Sequence, residues 1–158
     1  MTRPRVLCLV PSLARAGAEK QVVDLVNGLA GRGWQCHLAS FGPTRDQLDR
    51  VDRERVVYHP LRRRGKLAPG LVSDLARLLR RERFDLVHST LSIAHFYAFL
   101  ATRRLRPRPP WIAGVHTTLS RNARDEFRER WLYRWLLRTA ARVVFVCERQ
   151  REHWVARD

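Results

Sequence analysis

Short runs of unbroken apolar residues alternate along the chain with stretches in which apolar residues recur every three or four positions. Val6-Leu7-Cys8-Leu9-Val10 predicts a buried strand. Ala18, Val22, Leu25, Val26 and Leu29 follow at helical spacing, and Gly31 and Gly33 end that helix. Cys36 to Phe41 predicts a second strand and Val56-Val57-Tyr58 a short third. Pro69 suits a first helical turn, after which Val72, Leu75 and Leu79 share one face of a helix closing near Arg83. Leu86-Val87 lies in a fourth strand, with Ile93, Phe96, Tyr97 and Leu100 in the helix after it. Pro107-Arg108-Pro109-Pro110 excludes helix, and Trp111 to Val115 predicts a fifth strand. Phe127, Trp131, Trp135 and Leu136 mark a long helix with the tryptophans in the core, and Val143 to Val146 a sixth strand.

Strands that are apolar on both faces, separated by helices, indicate a parallel sheet covered on each side. Right-handed crossovers then give an α/β fold, a doubly wound, mainly parallel Rossmann-like sheet, in one domain spanning 1–158. The chain has no internal repeat and no low-complexity tract.

Composition narrows the class. With 45% hydrophobic and 29% charged residues the 158-residue chain is globular and large enough for a core without disulfides or metals. Cys8, Cys36 and Cys147 are odd in number and widely spaced, which argues against a disulfide scaffold or zinc ribbon and for a reducing compartment. The longest apolar stretch, LSIAHFYAFLA, is too short to span a bilayer, which takes about 20 residues. The N-terminal MTRPRVLCLVPSLARAGA loosely mimics a signal peptide, but Pro11 splits its apolar run and the segment passes directly into a helical pattern. A buried first strand is the better reading.

Charge adds a partner of known sign. The formal net charge is +16, and 29 of the 31 basic residues are arginine. That field attracts polyanions, whether nucleic acid, anionic lipid or phosphorylated substrate, although arginine bias also accompanies GC-rich genomes. Two basic loops stand out, one with Arg62, Arg63, Arg64 and Lys66, the other with Arg103, Arg104, Arg106 and Arg108. They read equally as solvated turns and as anion or membrane-surface contacts. Trp131 and Trp135 among surrounding arginines also permit a helix lying in a membrane interface.

In an open parallel sheet, ligands bind beyond the carboxyl ends of the strands. The first such loop, PSLARAGAEK, lacks both G-x-G-x-x-G and the Walker pattern, so neither a dinucleotide site nor a P-loop is expected. It does place Gly17 at a helix start, where backbone N–H groups can approach a phosphate. No paired carboxylates suit a hydrolase: Glu19 and Asp24 lie five apart on a helix, and Asp125 and Glu126 read as first-turn acids. The six histidines form no H-E-x-x-H or i,i+4 pair, so no metal site is expected. His88 reads more readily as a structural residue than as a ligand contact.

Four elements in order resemble one family. VPSLARAGAEKQVVDLVNGLAGRGWQCHLAS, FDLVHST, WIAGVHTT and ARVVFVCERQRE look like the successive strand ends of the N-terminal half of family 4 glycosyltransferases. The resemblance implies a GT-B enzyme, two Rossmann domains around a cleft, transferring a sugar from a nucleotide diphosphate sugar with retention at the anomeric carbon. The acceptor is expected to be lipid-linked or a polysaccharide. This chain then corresponds to the acceptor half, with the donor-binding domain absent and supplied in cis or in trans. The nucleotide sugar is a substrate, and no cofactor is expected.

Carried over residue by residue, Gly17 matches the second glycine of the family loop, while Ala16 replaces the first and leaves less room beside the donor phosphate. His116 matches the histidine ending the fifth strand and is the candidate catalytic residue, beside the transferred sugar. Glu148 matches the acid of a Ser-Glu pair in which Cys147 replaces the serine. His88, Ser89, His95, Thr117 and Glu148 are expected to line the cleft or contact the acceptor, His95 standing where relatives often carry asparagine. Arg62, Arg63, Arg64 and Lys66 are the candidate membrane or anion contacts. The implied location is cytoplasmic, at the inner face of the membrane if those contacts are made.

Two other classes stay open. The charge alone suits a nucleic-acid-binding module, although Trp111 and Trp131 fall in strand and helix patterns and not on a stacking platform. The chain also reads as a non-catalytic subunit that completes its cleft with a separate donor domain.

Overall fold

The computed structural model describes residues 3–65, 67–116 and 132–155. Among them, six strands form one all-parallel sheet: β1 (Arg5–Val10), β2 (Gln35–Ser40), β3 (Val56–Pro60), β4 (Leu86–Thr90), β5 (Trp111–Val115) and β6 (Arg142–Phe145). Their spatial order is β3-β2-β1-β4-β5-β6. The helices are α1 (Gly17–Gly31), α2 (Pro69–Glu82), α3 (Ser92–Thr102), α4 (Arg134–Arg138) and α5 (Glu148–Val155), with a 3-10 turn at Leu48–Arg50.

Each strand falls where an apolar run predicts it. The largest difference is β4, which continues through His88, Ser89 and Thr90. Those three polar residues give no apolar signal. They are strand because both neighbours ladder with them, Cys8 opposite His88, Leu9 opposite Ser89 and Thr90 opposite Gly114.

The sheet buries a separate apolar cluster on each face. Val6, Cys8, Val10, Cys36 and Leu38 pack under α1, whereas Leu7, Leu9, Val87 and Ala113 pack under α2 and α3 with Tyr97 at the centre. β1 serves both clusters, which is why its apolar run is continuous. The phase of α1 departs from the expected one. Its buried stripe is Glu19, Val22, Val23, Val26 and Ala30, and Leu25 is left exposed.

The long helix expected from Phe127 to Leu136 lies mostly outside the described residues, Trp131 included. Its described remainder, α4, buries Leu136 and Leu137 and leaves Trp135 half exposed, a correction to its expected core position. The Trp135 ring meets Phe99 edge-on at 5.2 Å.

The chain winds outward from β1 through β2 to β3, then α2 carries it back to β4 on the other side of β1. The direction reverses between β1 and β4, so the loops leaving these two strands part and open a crevice there. The two basic loops do not share a face. Arg62 to Arg64 follow β3, at the carboxyl edge of the sheet, whereas Arg103 to Arg108 precede β5, at the opposite edge.

Candidate functional site

The loop from β1 to α1 forms one wall of the crevice, and the segment after β2 anchors it. Leu13 N–H donates to the Thr44 carbonyl at 2.9 Å and Gln47 N–H to the Leu13 carbonyl at 3.0 Å. The buried Gln47 side-chain amide donates to the Ala14 carbonyl and, at 3.4 Å, to that of Ala16. Gly42 permits this arrangement: a Cβ there would lie 2.8 Å from the Pro11 carbonyl oxygen.

The held loop presents the start of α1. Ala16 is extended (φ −128°, ψ 164°), and no side chain caps the helix, so its first N–H groups face outward. Gly17 is exposed, and a Cβ on it would meet nothing within 4 Å. Neither packing nor an unusual backbone demands glycine at this position. Ala16 and Gly17 border an open depression of about 590 Å³ shared with Arg15, Lys20, Asp46, Gln47, Asp49 and Arg50.

Across the crevice stand the ends of β4 and β5. Gly114 lets the His88 ring lie close against β5: a Cβ there would be 3.1 Å from His88 Nε2 and 3.3 Å from Thr90 Oγ1. His88 Nδ1 and Thr90 Oγ1 are buried without a hydrogen-bond partner, as is His95 Nε2. Burial, assisted by His116, pushes the His88 pKa down to about 4. His116 itself, half-buried just past β5, is held below the usual histidine range by desolvation, against an upward pull from Glu19. Glu19 is buried in the first turn of α1, where Ser12 Oγ donates to its Oε1 at 3.5 Å. The crevice thus gathers a carboxylate, two neutral imidazoles and the Ser12 hydroxyl around the mouth of α1, with Thr90 fully buried beneath them. Leu91, the residue closing β4, has φ 72°, a strained backbone for a bulky side chain, and it starts α3 without a side-chain cap.

Ser89 and His95 do not line this crevice, contrary to expectation. Both are fully buried beneath it. Trp111 Nε1 donates to Ser89 Oγ at 2.6 Å, and Ser89 Oγ lies 2.8 Å from His95 Nδ1. Ser89 Oγ accepts from Trp111, and its remaining hydrogen bond with His95 Nδ1 is satisfied by either imidazole tautomer, because a hydroxyl has one proton and two lone pairs. The His95 ring stacks on Tyr133 at 5.7 Å. Desolvation, then His88 and His116, push its pKa down to about 3, with the Gly114 backbone pulling the other way. Strand alternation explains the placement: His88 points to one face and Ser89 to the other.

The other expected residues are dispersed. Glu148 is exposed at the start of α5 and pairs with Arg151 at 3.0 Å. Arg62 and Arg64 are exposed on the flank beyond β3, whereas Arg63 Nε donates to Tyr97 Oη at 3.1 Å and its guanidinium lies over that ring. Lys66 and Thr117 lie outside the described residues. Among the described residues no group of three His, Cys, Asp or Glu could hold a metal ion, and no helix is long and apolar enough to cross a membrane.

Sequence reasoning missed Glu19, Thr90 and the close-approach glycines Gly42 and Gly114. Glu19 carried a signal. It stands three and four residues before Val22 and Val23, so correct phasing of α1 puts a carboxylate on the buried stripe, where an acid needs a partner. The glycines carried none, because their need arises from strands and loops far away in sequence.

The sequence model of Glycosyltransferase Family 4 matches residues 15–158. The chain belongs to glycosyltransferase family 4. No curated protein matches this family 4 chain by sequence. Solved structures do match its fold. A glycosyltransferase from Rickettsia africae superposes with a TM-score of 0.72 at 17% identity, over 98% of this chain and 40% of its own. HepE from Anabaena, in complex with UDP-glucose, gives 0.76 at 17% identity, over 96% and 40%. Sucrose-phosphate synthase from Thermosynechococcus elongatus gives 0.69 at 18%, over 99% and 45%. The family 4 chain thus spans less than half the length of these structures and has the Rossmann-like architecture of a GT-B N-terminal half.

Proposed function

We propose that the chain is the acceptor-binding half of a retaining glycosyltransferase that moves a sugar from a nucleotide diphosphate sugar to a lipid-linked or polysaccharide acceptor. The observation that carries this reading is the uncapped start of α1 beside the switch-point crevice, with open space at Gly17 and His116 near enough to feel the charge of Glu19 in the same helical turn. A GT-B cleft closes when a donor-binding domain, in cis or in trans, faces this edge. HepE, of similar fold, is a UDP-glucose complex, in keeping with a nucleotide sugar as donor.

In transfer, the bond from the anomeric carbon to the diphosphate breaks and its electron pair leaves with the diphosphate. The acceptor hydroxyl oxygen forms the new bond to the anomeric carbon and gives its proton to an oxygen of the departing diphosphate. The first N–H groups of α1 donate to the departing phosphate oxygens, and the helix dipole favours that charge by about 0.3–1 kcal/mol, more where water is excluded. His116, neutral because it is desolvated, hydrogen-bonds the sugar as a dipole and adds no cation beside developing positive charge. His88, partly exposed beside the crevice, contacts the acceptor side. The Arg62–Arg64 loop gives the domain an anion or membrane contact on the same sheet edge. The isolated 158-residue chain, with half a cleft, has no turnover in this reading.

Gly17→Val in the enzyme joined to its donor domain tests the proposal. Because a Cβ at Gly17 meets no protein atom within 4 Å, the variant should melt like the parent. It should nevertheless lose at least about tenfold in turnover by blocking the approach of phosphate to the helix. Unchanged turnover with an unchanged donor KM would overturn the assignment of this loop.

A further inference from the structure

A second cavity, about 600 Å³, lies on the flank of the molecule, between the open edge of β3 and α2. Gly70, Leu71, Asp74, Arg77, Leu78 and Arg81 line it from the helix. Their spacing keeps them on one face of α2, so the groove follows about 16 Å of helix at 1.5 Å per residue. Its floor is apolar, from Leu61, Leu71 and Leu78, and its rim carries Arg62, Arg64, Arg77 and Arg81. Arg77 pairs with Asp74 at 3.1 Å and Arg81 with Glu82 at 2.8 Å. Among the described residues no carboxylate pairs with Arg62 or Arg64. Four guanidinium groups around one groove, two of them uncompensated, form a concave surface of positive potential.

The inner wall is His59, and it does not stand alone. Its ring stacks on that of His37 from the neighbouring strand, with centroids 5.1 Å apart, and His37 Nδ1 lies 2.8 Å from His59 Nε2. That contact leaves the other ring nitrogen of His59, Nδ1, for the groove. We propose that this groove binds a phosphate-bearing group, and that binding is coupled to proton uptake by the His37–His59 pair.

The coupling follows from what surrounds the pair. Arg81 and Glu82 face it from α2, Arg5 from β1, and the edge of Phe84 meets the His37 ring at 4.8 Å. Asp74, Arg77, Arg62 and Arg64 face it across the groove. Desolvation, the partner imidazole and the arginines keep the pair neutral, while Glu82 pulls the other way, and the His37 pKa is pushed down to about 4. An anion at the rim offsets the arginines and accepts a hydrogen bond from His59 Nδ1–H. The imidazolium form is then the favoured one. By reciprocity, if the bound anion draws a proton onto the pair, protonation of the pair tightens the anion. Affinity must therefore rise as pH falls.

Sulfate is the probe, since its charge is constant between about pH 5 and 8. Titrated into the 158-residue chain and followed by the His59 ring resonances in NMR, it should bind at least fivefold more tightly at pH 5.5 than at pH 7.5. It should also raise the His59 titration midpoint. Arg62→Ser with Arg64→Ser should weaken sulfate at least tenfold with an unchanged melting temperature. His59→Gln should retain binding and flatten its pH dependence. Lack of saturable binding, or binding indifferent to the two arginines, would overturn the site; an unaltered pH profile in His59→Gln would overturn the proton coupling.

Vesicles identify the source of the phosphate. Arginine-dependent sedimentation with phosphatidylglycerol but not phosphatidylcholine vesicles assigns the site to a lipid headgroup. Sulfate binding without vesicle binding assigns it to a soluble phosphate. The proposal builds on the anion-contact reading of the Arg62–Arg64 loop, but the sulfate titration needs neither donor domain nor turnover. Its failure would leave the transferase reading standing, and failure of the Gly17 test would leave the groove standing.

Discussion

His95 should make the fold acid-sensitive well above the range in which carboxylates titrate. Its ring is fully buried, shares a hydrogen bond with Ser89 at Nδ1, and has its pKa pushed from 6.5 to about 3. The unfolded chain binds a proton there below about pH 6.5 and the folded chain does not, so stability is lost as pH falls through that window. For one histidine the loss between pH 7 and pH 5 is about 2 kcal/mol, reached from the two pKa values by linkage. For a domain of this size that corresponds to roughly 4–8 °C in Tm. His95→Asn removes the titration but keeps an amide near Nδ1 that can accept from or donate to the Ser89 hydroxyl. Urea unfolding of both proteins at pH 7 and pH 5, followed by circular dichroism, isolates the effect as a difference of differences, from which any pH-independent cost of the substitution cancels. The variant should lose about 2 kcal/mol less than the parent on going to pH 5. Glu82, whose pKa is lowered by its hydrogen bond to Arg81, titrates below this window and does not confuse it. Parallel losses within about 0.5 kcal/mol would refute a neutral buried His95.

Two further outcomes follow from the same region. Ser89→Ala strips the partner from both Trp111 Nε1 and His95 Nδ1 in a site closed to water, and should cost about 2–4 kcal/mol in urea unfolding at pH 7. Gly114→Ala puts a methyl 3.1 Å from His88 Nε2, so thermal unfolding should reveal a cost of about 1–3 kcal/mol and NMR a displaced His88 ring.

The architecture was legible along the chain because a parallel sheet covered on both faces needs continuous apolar strands, and Leu7 with Cys8 in β1 feeds a different cluster on each side. Helix limits were legible where glycine or proline marks them, at Gly31 and at Pro69. Gly17 could be singled out because a helix start is a local event. The family likeness, too, rested on local motifs at strand ends, and the match over residues 15–158 agrees with it.

Tertiary structure decided what met across those ends. That Ser89 and His95 sink into a pair under Trp111, while His88 turns to Gly114, depends on the register of β4 against β5, which no local pattern encodes. The burial of Glu19 beside His116 depends on the phase with which α1 docks on the sheet. The pairing of His37 with His59 depends on β2 and β3 lying side by side, 22 residues apart in sequence. Hydrophobic periodicity reports how each segment faces the core. Polar chemistry at a site depends on distances between segments, and those are set only when the segments pack.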